Sequence, residues 1–156
     1  MMKKILGVTF VFCILACSSD SIDENALNCS LVDCASGEMV LQFFDAETAE
    51  DVFYSGEYDF NNLTITDVST NEAYPFFTST SQETESSFVA LNPFFESRED
   101  VVLKIAVVNG FETDLSFDVT YFEGECCNGN TYAEVQFSEV DSVVASQANS
   151  FFKIYL

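Results

Sequence analysis

Two neighbouring stretches, Val101-Val102-Leu103-Lys104-Ile105-Ala106-Val107-Val108-Asn109-Gly110 and Leu115-Ser116-Phe117-Asp118-Val119-Thr120-Tyr121, decide the fold class of this chain. The first is a continuous apolar run in which Lys104 is the only charge. β-Branched and aliphatic residues without helical spacing suit a strand in the middle of a sheet. The second alternates strictly, with Leu115, Phe117, Val119 and Tyr121 on one side and polar residues on the other, as a strand does when one face meets the core and the other meets water. Asn109-Gly110 lies between two apolar runs and is the strongest tight-hairpin signal in the chain, because Asn and Gly accept the positive φ that such turns require.

The same grammar extends in both directions. Glu38 to Phe44, Leu63 to Val68, Ala73 to Phe77, Ser87 to Leu91, Thr131 to Val140 and Phe151 to Leu156 are short apolar or alternating runs. They are separated by turn-forming residues at Ser55-Gly56, Asn61-Asn62, Asn92-Pro93, Gly124 and Asn128-Gly129-Asn130. About seven or eight short strands with little helical periodicity predict an all-β chain, a single β-sandwich of immunoglobulin-like or related Greek-key type, with a barrel as the alternative. Asp45 to Phe53 and Pro93 to Asp100 are each expected to form a helical turn, and the polar stretch Thr78 to Ser87 a mobile loop.

Four phenylalanine pairs, Phe43-Phe44, Phe76-Phe77, Phe94-Phe95 and Phe151-Phe152, carry a further expectation. Adjacent strand residues point to opposite faces, so each pair lying in a strand puts one ring in the core and one outside it. Loops or the N-terminal segment could cover the outer rings. The alternative is an exposed aromatic patch for docking a protein or stacking a sugar.

The N-terminus reads as an address. Lys3 and Lys4 precede an apolar run from Ile5 to Leu15, and Ala16 supplies the small residue before a cleavage point. The run is too short for a membrane-spanning helix, which needs about 20 residues. Leu15-Ala16-Cys17 resembles the bacterial lipobox, whose cysteine is lipidated and becomes the mature N-terminus. The resemblance implies a lipid anchor on Cys17, and more than one acyl chain makes such an anchor stable. Ser18 stands after that cysteine where an aspartate would, in the lipoproteins this resembles, imply retention at the inner membrane, and Ser19-Asp20-Ser21-Ile22-Asp23-Glu24 resembles the acidic, serine-rich tether of Bacteroidota surface lipoproteins, which implies an outer-membrane, cell-surface location. Asp20-Ser21-Ile22 and Asp141-Ser142-Val143 also resemble the O-glycosylation sequon of that phylum. The expected organisation is a cleaved signal peptide over 1–16, lipidated cysteine and tether over 17–28, and a β-sandwich domain over 29–156.

Charge excludes several functions. Once the signal is removed, Arg98, Lys104 and Lys153 stand against 26 acidic residues, a net charge of −23. Nucleic acid and anionic lipid surfaces would be repelled. The chain is nevertheless 48% hydrophobic and 15% aromatic, a composition that folds. No histidine is present, so Ser-His-Asp and Cys-His catalysis and imidazole metal sites are excluded. There is no glycine-rich phosphate loop. Acidic pairs are so abundant that they single out no glycosidase site. The expectation is a protein without catalytic activity and without a cofactor. Calcium is the one ion that the oxygen ligands of Asp45/Glu47, Glu50/Asp51, Asp59/Asn61 and Glu96/Glu99/Asp100 would suit, against the simpler reading of a solvated acidic face.

Cys29, Cys34, Cys126 and Cys127 form an even set in an exported chain, where disulfides persist. A bond between the neighbours Cys126 and Cys127 would close a strained ring, so two bridges from the Cys29/Cys34 segment to the Cys126/Cys127 turn are expected. Zinc is disfavoured, since paired Cys-x-x-Cys knuckles are missing.

Three function classes follow: an interaction or structural subunit of a cell-envelope complex; a glycan- or peptide-binding accessory module of an outer-membrane uptake system, with Tyr54, Tyr58, Tyr74 or Tyr132 lining a concave site; and an enzyme, which would need converging carboxylates in a cleft. The first is preferred. Intact mass of the membrane-purified protein checks the chemistry of the chain: an acylated Cys17 is expected, with no thiol alkylated until reduction and four afterwards. Free thiols before reduction would contradict the bridges, and an unacylated chain would contradict the anchor.

Overall fold

The hairpin signalled by Asn109-Gly110 is present at the centre of the computed structural model, which describes residues 37–146 and 150–156. The signal segment, Cys17, the tether, Cys29 and Cys34 lie outside the described residues. Ten strands follow in chain order: β1 Val40–Phe44, β2 Leu63–Asp67, β3 Glu72–Ala73, β4 Phe76–Ser81, β5 Ser86–Leu91, β6 Arg98–Val107, β7 Glu112–Glu123, β8 Asn128–Phe137, β9 Ser142–Ala145 and β10 Phe151–Tyr155. β6 and β7 are joined through a turn in which the Gly110 amide donates to the Val107 carbonyl at 2.9 Å, with Asn109 at φ 59°. That is the left-handed conformation Asn tolerates.

The strands form two five-stranded sheets packed face to face, in the orders β4-β5-β1-β10-β9 and β3-β2-β6-β7-β8. The expected all-β sandwich is therefore the architecture found, with the continuous apolar run of β6 in the middle of its sheet. Alternation builds the core. Val101, Leu103, Ile105 and Val107 of β6 and Leu115, Phe117 and Val119 of β7 are buried, and they share the core with Leu41 and Phe43 of β1 and Phe152 and Ile154 of β10. Burying such side chains stabilises the fold by about 1.5–3 kcal/mol each.

One expected helical turn is present and two local expectations are corrected. At Asp45 the chain makes a single turn in which the Ala49 amide donates to the Asp45 carbonyl at 2.9 Å, while the Asp45 carboxylate accepts from the Glu47 amide at 3.1 Å and the Thr48 amide at 2.7 Å, and it then returns to a bridge between Phe44 and Asp51. Pro93 to Asp100 forms no helical turn; it bends and then enters β6 at Arg98. The one helix segment that extends beyond such a turn among the described residues is a 3-10 element at Phe60–Asn62, capped by Asp59.

The second correction concerns Thr78 to Ser87, which forms most of the β4–β5 hairpin, in register from Phe76↔Leu91 to Ser81↔Ser86. Its serines and threonines reported solvent exposure, which an edge strand has in any case, and not absence of pairing. The run Ala73 to Phe77 is split between the two sheets, because Pro75 has no amide to donate to a ladder. β9 is four residues long and exposed throughout, too short a run for alternation to register in the sequence.

The segment preceding β1 is held against β8. Tyr132 is buried and its hydroxyl donates to the Gly37 carbonyl at 2.7 Å. Gly37 has φ 62°, and a Cβ there would lie 2.5 Å from the Asn130 amide nitrogen, so only glycine fits. Cys126 and Cys127 occupy the β7–β8 turn, where the Gly124 amide donates to the Cys127 carbonyl at 2.8 Å, and neither cysteine is a free thiol.

Asp67, buried at the end of β2, pairs with Arg98 through two guanidinium contacts of 3.1 Å and accepts from the Ser69 amide and hydroxyl at 2.9 and 2.6 Å. Burial pulls its carboxyl upward, but the Ser69 bonds and the Arg98 charge outweigh it and hold the group below the usual carboxylate range. The folded pKa is thus below the unfolded one. The stabilisation is full above about pH 4 and is lost as pH falls through the folded value. Asp67→Asn is expected to cost about 2 kcal/mol at neutral pH and to flatten the acid limb of the stability curve below about pH 4, read by chemical denaturation across pH.

Candidate functional site

The sandwich has two unlike outer faces. On the β3-β2-β6-β7-β8 sheet, cross-strand rows place Thr64, Ala106 and Glu112 together, then Thr66, Lys104 and Asp114, then Val102 and Ser116. Lys104 pairs with Glu112 at 2.8 Å, which raises the lysine pKa. This face is mostly polar and acidic, with Lys104 set against Glu112 and Asp114, and it carries Phe122, 45% exposed, toward the end of β7.

The other outer face is aromatic. Val40 lies between Ala90 and Phe151, and Ala90 opposes Phe77. Gln42 opposes Lys153, which opposes Val144, and Phe44 opposes Tyr155. The pairs Phe43-Phe44, Phe76-Phe77 and Phe151-Phe152, which lie in strands, divide as alternation requires, and Phe94-Phe95 divides likewise in the bend before β6. Phe43, Phe94 and Phe152 are buried, while Phe77 is 65% and Phe95 80% exposed. Phe44 and Phe151 are half-buried on this outer face.

A groove of about 870 Å³ runs over the middle of the aromatic face. The strands supply its floor through Gln42, Phe44, Phe88, Phe151 and Lys153, and the segments 49–55 and 84–86 supply its walls, including Glu50, Tyr54 and Glu85. Phe44 stacks on Tyr155 at 5.3 Å between centroids, and Phe88 lies 6.4 Å from Phe151. The Lys153 ammonium sits 5.5 Å from the centre of the Phe44 ring. Arg98 and Lys104 each hold a carboxylate, whereas Lys153 forms no ion pair among the described residues.

Asp51 holds the wall in place. It is 6% exposed. Its carboxylate accepts from the Phe53 amide at 3.1 Å, the Tyr54 amide at 2.9 Å and the Ser87 amide at 2.8 Å, and also from the Ser87 hydroxyl. These bonds join the loop after β1 to β5, and Gln42 adds a bond of 3.3 Å to the Ser87 carbonyl.

Of the four tyrosines expected at a concave site, only Tyr54 lies in the groove, 37% exposed. Tyr74 borders a separate depression of about 330 Å³ with Phe95 and Arg98, where it stacks on Phe94 at 5.3 Å and donates to the Asn92 carbonyl at 2.8 Å. Burial raises its pKa. Tyr58 packs edge-on against Phe111 at 5.7 Å, and a Cβ on Gly110 would meet its ring at 2.8 Å. Tyr132 is a buried core side chain whose phenol burial pushes up to about 12. Tyr58 and Tyr132 are therefore corrected to packing roles, since their rings fill space between elements that the sequence does not show to be neighbours.

Phe88, Gln42, Glu50, Glu85 and Lys153 had not been singled out for this site. A signal existed for Lys153, one of three basic residues in the mature chain. Among the described residues no group of three or more Asp, Glu, Cys or His is placed to hold a metal ion. Within the acidic loops, Asp45, Asp51 and Asp59 accept backbone amides in tight turns.

Asp51→Ala leaves the Ser87, Phe53 and Tyr54 amides without their acceptor. We expect a loss of about 2–3 kcal/mol by chemical denaturation. An unchanged unfolding midpoint would show that the loop is held by other contacts.

No protein-family model matches this chain, and no curated protein and no solved structure shows significant similarity to it.

Proposed function

We propose that the chain is a lipid-anchored lipoprotein at the surface of a Bacteroidota-type outer membrane. It serves as a non-catalytic interaction or structural subunit of a cell-envelope complex, docking through the outer face of the β4-β5-β1-β10-β9 sheet. The observation that carries the reading is the contrast between the two outer faces. One presents Phe77, Phe88, Phe151, Phe44 and Tyr155, while the other presents threonine, serine and carboxylates around Lys104, with Phe122 toward the end of β7. Contiguous exposed aromatic surface marks interaction sites on otherwise acidic, soluble domains.

The anchor reading rests on Lys3-Lys4, the apolar run and Leu15-Ala16-Cys17. No helix among the described residues is long and apolar enough to cross a membrane. Two bridges from Cys29 and Cys34 to Cys126 and Cys127 belong to the same proposal. The bonded state of the two late cysteines supports them, and closing so long a loop would constrain the unfolded chain by about 4–5 kcal/mol. A second reading, an accessory module that binds a glycan or peptide ligand, is favoured by the groove itself, in which Tyr54 and Phe88 stand beside the polar Gln42 and Ser86.

Two measurements test the proposal in cells. Cys17→Ser is expected to move the protein from the detergent phase to the aqueous phase on phase partition. A photo-crosslinking amino acid at Phe77 is expected to give a discrete heavier adduct, and the same group at Thr120, on the outer face of the other sheet, none. Equal adducts from both positions, or none from Phe77, would sink the docking face.

A further inference from the structure

We infer that the groove takes a basic partner segment, seating a guanidinium or ammonium group on its aromatic floor between the Glu50 and Glu85 side chains. The inference rests on the docking reading above and names the chemistry of the partner. Three observations converge on it. First, Phe44, Phe88, Phe151 and Tyr54 line one depression, and aromatic faces attract cations through the ring quadrupole. Second, the protein's own Lys153 ammonium rests over Phe44 at 5.5 Å, so this floor already holds one cation without a carboxylate partner. Third, charge complementarity points the same way. A mature chain of net charge −23 raises the local concentration of cationic groups and repels anionic ones, and no ion pair engages Glu50 or Glu85 among the described residues.

Glu85 strengthens the case for the wall. It stands at φ 48° in the β4–β5 turn, a conformation that glycine adopts without strain, and it lines the groove. Lys153 sets the sign of the argument. It occupies the Phe44 face and repels an incoming cation, so a cationic occupant must use Phe88, Phe151 and Tyr54, and it gains when Lys153 is neutralised. An anionic occupant would lose its only local counter-charge by the same change.

The test titrates fluorescent tetra-arginine peptide into the full mature protein in neutral detergent at about 150 mM salt, where charges more than about 8 Å apart are largely screened. The double variant Glu50→Gln/Glu85→Gln is expected to bind roughly tenfold more weakly, and Lys153→Met several-fold more tightly. Glu72→Gln/Glu123→Gln, with the same change of net charge on the other sheet, is expected to stay within about twofold. Equal loss in both double variants would mean diffuse attraction and overturn the site. Unchanged or weaker binding by Lys153→Met would overturn it, because the peptide's cation would then not seat beside the Lys153 ammonium, and absence of binding would overturn it outright. The adduct at Phe77 is read separately, so a docking face with a non-basic partner and a failed docking face give different results.

Discussion

The parallel pairing of β1 with β10 is the constraint on which the rest of the molecule depends. It sets Val40 against Phe151, Gln42 against Lys153 and Phe44 against Tyr155, joining residues more than a hundred positions apart in sequence. Closing so long a loop is costly in entropy, though the cost grows only slowly with length. What offsets it is burial on the inner side, where Leu41, Phe43, Phe152 and Ile154 meet β6 and β7 across the sandwich. The outer side of the same pairing is the aromatic floor. One register therefore builds the core and the candidate site together, since a slip by one residue would exchange the two faces.

The acidic composition is accommodated in two ways. Some carboxylates do structural work: Asp45, Asp51, Asp59 and Asp67 accept backbone amides in the loops that leave β1 and β2, so part of the negative charge shapes turns. Others remain solvated and keep copies apart by repulsion. The aromatic face is the place where this general repulsion yields to local apolar surface. In the proposed function this face docks a partner, and the walls contributed by Glu50 and Glu85 would bias what it accepts.

The buried polar groups serve the scaffold. Asp51 ties a loop to β5, Tyr132 ties the segment before β1 to β8, and Tyr74 closes on the Asn92 carbonyl. The groove is built instead from rings, two acidic side chains and one cation, which suits recognition by stacking and charge.

The sequence by itself determined the all-β class, the β6–β7 hairpin, most strand positions and the splitting of phenylalanine pairs that lie in strands, because strand periodicity and turn chemistry are local properties. It also determined the charge and the absence of histidine. It misjudged Thr78 to Ser87, where polar residues hid a paired edge strand, and it could not separate Tyr54, which faces the groove, from Tyr132, which fills the core. Only the tertiary structure decided which strands are neighbours, and so which outer rings share a face. Phe44, Phe88 and Phe151 come from three distant segments, and Lys153 meets Phe44 only through the β1–β10 register. Sheet order is a non-local choice, made by burying both inner faces at once, and no window of sequence contains it.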